Sequence, residues 1–468
     1  MSEEMIKGLQ SVRDFIWGPP LLVCLLGTGA YLMILLRGLP IRRLSKAISM
    51  ALGNNAQSGG RGRDEVSAFS CLATELAATI GTGNIIGVVG AMILGGPGAL
   101  FWMILSAFLG LSTKLVESTL SVKYRENRVG KPPFGGPMIT LAKAFPKKRT
   151  GRVLAGCYSL FAVLCSLGMG NLVQANSIAE ALHASMSWNR GKIGLILSLF
   201  TIVAVLGGMK LIARISTLLV PAMGAIYLAG CLGIILMHPQ NLLPGLSAMI
   251  IGAFSPKAAS GGAFGILTMH WTKSMGWGIS RGIFSNEAGL GAGGISAAAS
   301  SEQDPYRQGL ISMSAVFFDT IVICSLTGIA YACSGVPWLI SQGNVILQNG
   351  SLADANNAAD LMVATFETTF GRYGGVLLSI CITLFAFATI LGWGVQGEAA
   401  FTYMFHEKYT FVFRLAYGVL PFVGTVFSLQ ATWLLSDIAN GLLAIPNLIC
   451  LWVLAPAICN EIIKKDGA

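Results

Sequence analysis

Eleven apolar segments run through this chain of 468 residues, and each is about as long as a helix that crosses a bilayer. About twenty apolar residues in a helix span the ~30 Å hydrocarbon core. The segments are 19–37, 66–93, 97–121, 153–183, 192–209, 214–237, 258–285, 307–334, 373–403, 411–429 and 433–459. Charged residues make up only 11% of the sequence, which is too few to coat a soluble fold of this size. The sequence therefore predicts an all-α polytopic membrane protein with about eleven transmembrane helices.

Basic residues are distributed unequally among the connections between these segments. If the N-terminus lies outside, 22 of the 31 lysines and arginines fall in inner segments and six fall in outer ones. Cytoplasmic loops of membrane proteins carry such an excess. The net charge of +10 is thus explained by orientation and does not indicate a nucleic-acid partner. We expect an outer N-terminus, a cytoplasmic C-terminus and one long polar outer loop at 335–372.

Two of the apolar segments contain glycine-rich interruptions, at 79–84 and 281–291. Five segments separate their starts, so the second unit is inverted relative to the first. Paired discontinuous helices in inverted halves indicate a binding site near the membrane midplane, and ordinary packing of small residues is the alternative. The pattern predicts an N-terminal part with the first helix and a basic loop (1–65), a first five-helix repeat (66–240) and a second, inverted repeat with the C-terminus (241–468).

Several ionisable side chains lie inside apolar segments, where each costs a few kcal/mol or more unless it is paired. Lys114 and Glu117 are three residues apart, so an ion pair on one helix face is the favoured interpretation. Asp319 fits either structural hydrogen bonding or ion coupling. Glu75 fits either a proton-sensitive carboxylate or a group with a buried partner.

Neutral polar residues mark one side of the ninth segment and part of the fourth. Thr389, Trp393 and Gln396 share a helical face by their i, i+4, i+7 spacing. A threonine hydroxyl suits a small hard cation, which prefers oxygen ligands, and Trp393 is a candidate pocket wall. Asn171 and Gln174 form an i, i+3 pair that suits a zwitterion pocket. A helix-packing stripe is the alternative for the ninth segment.

Motifs of several other function classes are missing from the sequence. No GxxxxGK[ST] occurs, which argues against ATP-driven pumping by this chain alone. The four histidines have no metal-ligand spacing, and no catalytic constellation is found. The ten cysteines lie in or beside apolar runs without a CxxC pair, which is typical of packing. A passive channel usually shows a repeated filter or a charged ring, and none is recognised here.

From near residue 66 almost to the C-terminus, the chain resembles the alanine or glycine:cation symporters. The motifs that carry this resemblance are 78–84 (ATIGTGN), 95–102 (GGPGALFW), 113–114 (TK), 135–138 (GGPM), 174–179 (QANSIA), 281–291 (RGIFSNEAGLG), 319–320 (DT) and 391–393 (LGW). The resemblance implies a fold similar to that of the amino acid/polyamine/organocation transporters, with an extra first helix before a five-plus-five inverted core. It also implies import of alanine, glycine or serine with Na⁺, by alternating access, across a prokaryotic cytoplasmic membrane.

The resemblance also implies where the ligands lie. The residues implied to bind substrate are Thr79, Gly81, Gly83, Asn84, Gln174, Phe284, Thr389 and Trp393. Sodium is implied to lie between carbonyls near Ala77 and Ile80 and the hydroxyl of Thr389. Glu75 and Asp319 are the candidates for coupling or gating. Since Glu75 stands where family members usually carry a small residue, H⁺ is an alternative coupled ion.

The expected partners are a small neutral amino acid, Na⁺ and the lipid bilayer. We expect no nucleic acid, no obligate protein partner and no enzymatic activity. A Na⁺- or H⁺-coupled carrier for a larger neutral amino acid such as glutamine is the alternative in the same class. A passive channel and a membrane enzyme are the alternatives from other classes.

Overall fold

The chain is almost entirely helical in this computed structural model, which describes residues 3–53, 66–254, 263–337, 358–426 and 429–467. The helices of the first part are α1 (Glu3–Ile16), α2 (Pro19–Leu35), α3 (Leu39–Arg42), α4 (Leu44–Leu52), α5 (Ala68–Thr79), α6 (Ile86–Gly95), α7 (Ala99–Lys123) and α8 (Pro137–Ala144). An antiparallel hairpin, β1 (Glu126–Arg128) and β2 (Lys131–Phe134), lies between α7 and α8.

The remaining helices follow without further described strands. They are α9 (Lys148–Leu167), α10 (Val173–Met186), α11 (Arg190–Leu206), α12 (Gly208–Met237), α13 (Leu242–Phe254), α14 (Ala263–Asn286), α15 (Ala292–Ala298), α16 (Pro305–Val316), α17 (Ser325–Cys333), α18 (Ala358–Phe370), α19 (Arg372–Phe405), α20 (Thr410–Val426) and α21 (Leu429–Gly467). Two π-helical segments, Gly168–Leu172 and Phe317–Cys324, join α9 to α10 and α16 to α17.

Within the described residues, eight helices are long and apolar enough to cross a membrane. The predicted class, an all-α polytopic membrane protein, is therefore confirmed, whereas the predicted number of eleven helices is not. Three predicted segments are not among the eight. The second is divided into α5 and α6, each of which is too short to span the bilayer alone; the fifth forms α11, which has only 17 residues; and the seventh begins outside the described residues.

Both segments that were predicted to be interrupted are broken in the structure. A short 3₁₀ turn, Thr82–Asn84, lies between α5 and α6. Residues 287–291 separate α14 from α15, and in this gap Gly289 and Gly291 have φ angles of 98° and 74°. Glycine adopts such angles at no steric cost, so these two glycines help to determine where the second helix is interrupted.

Helices also form where the hydropathy pattern predicts connections. α18 lies inside the predicted long polar loop 335–372, and this part of the prediction is wrong. α18 buries Leu361, Met362 and Phe366 against the bundle, a tertiary contact that a hydropathy window of twenty residues does not detect. Residues 338–357 of the same loop lie outside the described residues. So do residues 255–262, which include the start of the predicted segment 258–285.

The two broken helices lie in the middle of the bundle. α5 packs against α12 and α19, while α14 packs against α6 and α7. α10 and the π-helical segment Gly168–Leu172 pack against α19 as well, and the 3₁₀ turn contacts the π-helical segment Phe317–Cys324. The interrupted backbone of four elements thus converges on one region, which is the candidate site.

Candidate functional site

The break between α5 and α6 redirects two backbone N–H groups away from the helix. The N–H of Gly81 donates to Asn84 Oδ1 at 2.8 Å, and the N–H of Thr82 donates to Gln174 Oε1 at 3.3 Å. In an uninterrupted α-helix these groups would donate to the carbonyls of Ala77 and Ala78, four residues earlier. The break therefore releases both carbonyl oxygens from these helical bonds, deep inside the protein.

Gln174 is held against this break by the irregular backbone before α10. Its side chain is 2% exposed, and its Nε2 donates to the carbonyl of Met169, in the π-helical segment, at 3.1 Å. Its Oε1 also accepts from the Thr82 hydroxyl at 3.1 Å. A π-helical bulge places an extra residue in the turn and is frequent at functional sites. Here it supplies the acceptor that fixes the Gln174 amide.

The hydroxyl of Thr389 reaches the same break from α19. It donates to the carbonyl of Ile80 at 3.3 Å and to the carbonyl of Phe385 on its own helix at 3.1 Å. Gly81 faces this hydroxyl so closely that a side chain there would collide with it, and would come within 3.3 Å of Gln174 Oε1. The structure thus brings Ile80, Gly81, Gln174 and Thr389 together at the first break.

Aromatic side chains border the site on two sides. A Cβ on Gly83 would lie 3.2 Å from the ring of Phe284, so only the smallest residue fits between this turn and α14. Trp393 is fully buried and packs against Gly170 of the π-helical segment, at a distance that leaves no room for a Cβ. Thr79 is the last residue of α5, two residues before Gly81, and its hydroxyl donates to the carbonyl of Leu76 at 3.4 Å.

Asp319 is fully buried and links the first break to the second. Its carboxylate accepts from Asn84 Nδ2, from the Ser285 hydroxyl and from the Thr320 hydroxyl, each at 2.7 Å. Asn286 Nδ2 donates to the Thr320 hydroxyl at 3.0 Å. Three donors to one carboxylate account for its burial without a cation, which supports the structural alternative for Asp319.

Glu75 has a buried partner, and it is Lys114. Lys114 Nζ lies 3.0 Å from Glu75 Oε1, and both side chains are inaccessible to solvent. The predicted pairing of Lys114 with Glu117 on one helix face is wrong. Glu117 instead accepts from the N–H of Gly289 at 3.0 Å and from Asn447 Nδ2. The reason is tertiary, since α5 and the second break present partners that helical spacing within α7 does not reveal.

An ionic and aromatic cluster covers the Phe284 side of the site. Arg281 donates to both carboxylate oxygens of Asp437, at 3.1 and 3.0 Å. Its guanidinium also lies over the rings of Phe284 and Trp433, each 5.3 Å from the ring centroid. Those two rings stack at a centroid distance of 5.4 Å. We call Arg281, Phe284, Trp433 and Asp437 the α14–α21 cluster.

On the opposite side, toward the β-hairpin, a cavity of about 550 Å³ opens between α15, α19 and α20. Its lining includes Phe134 of the hairpin, Ile295 of α15, and Val395 and Glu398 of α19. Val395 lies two residues after Trp393 on α19, and Trp393 itself is not part of this lining.

Sequence reasoning did not select Ser285, Thr320 or Trp433, although all three contact selected residues. It also assigned no role to Glu287, which is fully buried directly after the end of α14. The usable signal for Glu287 is an ionisable residue within an apolar, glycine-rich stretch. Within the described residues, no group of three or more histidine, cysteine, aspartate and glutamate side chains is placed to hold a metal ion.

Comparisons with known proteins identify sodium symporters as similar to this chain. Residues 2–465 match the family model described as the sodium:alanine symporter family. The sodium/alanine symporter AgcS of Methanococcus maripaludis is 36% identical over 98% of this chain and 96% of its own length. The probable sodium/glutamine symporter GlnT of Bacillus subtilis is 32% identical over 97% of this chain and 89% of its own length.

A solved structure matches the fold. The crystal structure of MhsT in complex with L-phenylalanine aligns with a TM-score of 0.56, over 86% of this chain and 98% of that chain, at 14% sequence identity. At this identity the likeness establishes a shared fold. It agrees with the predicted transporter-like core built around interrupted helices.

Proposed function

The chain belongs to the sodium:alanine symporter family, and from this premise we propose that it imports a small neutral amino acid together with Na⁺. The family consists of transporters, and the apolar helices make the chain an integral membrane protein, expected in a prokaryotic inner membrane. The proposed substrates are alanine, glycine or serine, and the proposed mechanism is alternating access. No chemical change to the substrate is part of this proposal.

One observation carries the proposal: the first break directs two backbone N–H groups toward the site. Those of Gly81 and Thr82 are held by the side-chain oxygens of Asn84 and Gln174. We propose that the substrate carboxylate binds at these N–H groups, beside the Asn84 and Gln174 amides that hold the break in shape, because main-chain N–H groups at a helix interruption favour anions. The rings of Phe284 and Trp393 would then confine the side chain of the amino acid to a small size.

The proposed Na⁺ site uses oxygen atoms released by the same break. Na⁺ is a hard cation, and hard cations prefer oxygen ligands. Two elements supply these oxygen ligands. α5 and its C-terminal cap provide the carbonyls of Ala77 and Ile80, and α19 provides the hydroxyl of Thr389. Because substrate and ion share one break, each completes the coordination of the other. An inward Na⁺ gradient would thereby drive accumulation of the amino acid.

Access to the site is proposed to alternate between its two covered sides. Trp433 and Asp437 of the α14–α21 cluster lie at the start of segment 433–459, which the basic-residue count assigns to the outside, and the cavity lined by Ile295 and Val395 lies on the hairpin side. Separation of Arg281 from Asp437 would open the first side. Movement of α15 against α19 would widen the second. With this orientation the N-terminus is outside and the C-terminus is cytoplasmic.

Uptake into proteoliposomes tests the proposal directly. The purified chain is reconstituted, and uptake of radiolabelled alanine is measured with an inward Na⁺ gradient, with K⁺ in its place, or with a pH gradient. We expect accumulation with Na⁺, and loss of accumulation in Asn84→Ala and Gln174→Ala variants that still insert into the membrane. Normal sodium-driven uptake by both variants would contradict the site. Alanine uptake that ignores both gradients would contradict the coupling.

A larger neutral amino acid is the second candidate substrate, favoured by the similarity to GlnT. The confinement of the site by Phe284 and Trp393 favours a short side chain. Competition of unlabelled serine, glycine and glutamine against labelled alanine separates the two possibilities. Stronger competition by glutamine than by glycine would favour the larger substrate.

A further inference from the structure

In the described part of the chain, three buried carboxylates are in electrostatic contact with one buried ammonium group, that of Lys114, near the second helix break. Glu75, Lys114 and Glu287 are 0% exposed, and Glu117 is 2% exposed. They come from α5, from α7 and from the gap after α14. With all four side chains ionised, the cluster would hold two uncompensated negative charges inside the protein. Buried charges are strongly destabilising unless they are paired and hydrogen-bonded.

Two of the carboxylates have partners that account for their charge. Glu75 is paired with Lys114 at 3.0 Å, and Lys114 also donates to the carbonyl of Asn286 at 3.2 Å. Glu117 accepts two N–H donors on one oxygen, from Gly289 and Asn447. Hydrogen bonds to an ionised acceptor are about twice as strong as neutral ones, so these two bonds offset part of the cost of a buried charge on Glu117.

Glu287 has no comparable support among the described residues. Neither of its carboxylate oxygens has a hydrogen-bond partner, and its backbone is left-handed, with φ of 57°. The indole N–H of Trp393 is directed toward this carboxylate without a well-formed hydrogen bond, and it has no other acceptor. A buried donor that lacks an acceptor therefore faces a buried acceptor that lacks a donor.

The other titratable groups near the cluster do not neutralise Glu287. Asp319, which is close enough to repel it, adds a further negative charge. Among the described residues, the remaining titratable groups in electrostatic contact with the carboxylates are thiols and a phenol, namely Cys71, Cys165, Cys450 and Tyr158. In the same part of the chain, Lys114 is the one cation in electrostatic contact with Glu287, and it is already paired with Glu75.

We propose that Glu287 is a proton-binding site, and that the indole N–H of Trp393 couples its proton to the state of the substrate pocket. In the protonated form the carboxyl group needs no cation. When the proton leaves to water on the open side, the carboxylate accepts the indole N–H. A metal ion is disfavoured at this position, because Lys114 repels it and, in the described part of the chain, no three histidine, cysteine, aspartate or glutamate side chains are placed to hold one.

Trp393 gives this site its connection to transport. Its ring is the proposed wall of the substrate pocket, and its N–H points to Glu287 on the other side. Substrate that packs on the ring therefore changes the position of the donor. This coupling rests on the proposed function, whereas the proton site itself does not.

Infrared spectroscopy of the purified full-length protein tests the proton site without any transport. We expect a C=O stretch from a protonated carboxyl group in the wild type at neutral pH, and its loss in Glu287→Gln. Glu461→Gln, which removes a surface partner of Lys123, is the matched control and should keep the band. A band that is unchanged in Glu287→Gln would overturn the proposal.

The coupling is tested in proteoliposomes that contain a trapped pH-sensitive dye, with the membrane potential clamped. Addition of L-alanine with Na⁺ should acidify the interior of wild-type vesicles and should not do so for Glu287→Gln. Trp393→Phe keeps an aromatic ring at this position but removes the N–H donor, so the pH at which the infrared band disappears should shift. An unshifted band would overturn the role of Trp393. Alanine uptake without acidification would refute the proton coupling and leave the proposed Na⁺ symport intact. Absence of any alanine uptake would refute the symport, and the infrared result alone would then decide the proton site.

Discussion

Replacement of Thr389 by valine isolates the contribution of one oxygen atom to the proposed Na⁺ site. Valine has nearly the same shape as threonine, so packing around this 2% exposed side chain is preserved. The change removes a hydroxyl whose single hydrogen is shared between the carbonyls of Ile80 and Phe385, at 3.3 and 3.1 Å. Since a typical hydrogen bond contributes only about 0.5–1.5 kcal/mol to stability, we expect a modest effect on folding.

The effect on Na⁺ should be larger than the effect on stability. An interaction with a charged group is worth about 1.5–3 kcal/mol, and each 1.4 kcal/mol corresponds to roughly tenfold in affinity. We therefore expect the Na⁺ concentration that half-saturates alanine uptake to rise by about ten- to a hundredfold in Thr389→Val. Thr389→Ser keeps the hydroxyl and should remain close to the wild type.

A matched control lies on the same helix. Thr383 donates to the carbonyl of Ser379 at 2.8 Å, the same intrahelical bond, and no hydrogen bond connects it to the break. Thr383→Val should cost similar stability and leave the Na⁺ dependence unchanged. The measurement is sodium-dependent uptake of labelled alanine, with thermal unfolding of each purified variant as the stability reference. A Thr389→Val variant with the Na⁺ dependence of the wild type would refute the assignment of this oxygen.

Three further predictions concern other parts of the molecule. Gly81→Ala places a methyl group against the Thr389 hydroxyl. Because overpacking costs about 1–3 kcal/mol, the affinity for alanine in a binding assay should fall by about tenfold or more. A variant with wild-type affinity would contradict this prediction and show that the break can relax. Asp437→Asn leaves Arg281 without its buried partner and should destabilise the protein by about 3 kcal/mol or more, measured by thermal unfolding, with the exposed Asp14→Asn as its control. Partial burial raises the pKa of Asp304, but the hydrogen bond from Lys465 at 2.7 Å and a backbone N–H outweigh it and hold that pKa below its ordinary value. The stabilisation that ionised Asp304 gives to the folded protein is present above the pKa of this group in the unfolded chain and is lost as the pH falls through its pKa in the folded protein. Asp304→Asn should therefore lower the Tm at neutral pH but not in acid. The same difference in Tm from the wild type at both pH values would contradict this.

The apolar segments and both helix breaks could be predicted from the sequence because their causes are local. In lipid every backbone polar group needs an internal partner, so long apolar stretches form helices. Glycine-rich interruptions mark the places where backbone groups leave the helix, as the structure shows at Gly81 and at Gly289. The neighbourhood of Gln174, Thr389 and the first break followed from the family resemblance, and the structure places these groups within hydrogen-bonding reach of that break.

The partners of the buried charges could not be predicted in this way. Helical spacing favoured Lys114 with Glu117, but the lysine reaches Glu75 on another helix, and Glu117 is bound by Asn447 from a third. Spacing along one helix identifies the neighbours of a side chain on that helix, but a buried side chain also has neighbours on other helices. α18 was missed for a related reason, since its apolar stripe is too short to stand out from a polar loop until it packs on the bundle.

The sequence by itself thus determined the membrane class, the expected orientation and the positions of the interruptions, because hydropathy, charge and glycine act on the chain locally. Only the tertiary structure decided which groups meet across the bundle. Thr389 reaches the carbonyl of Ile80, 309 positions earlier in the chain, and the Trp393 indole faces an unsupported Glu287. Such contacts depend on how whole helices pack against one another, and no local pattern of residues specifies that packing.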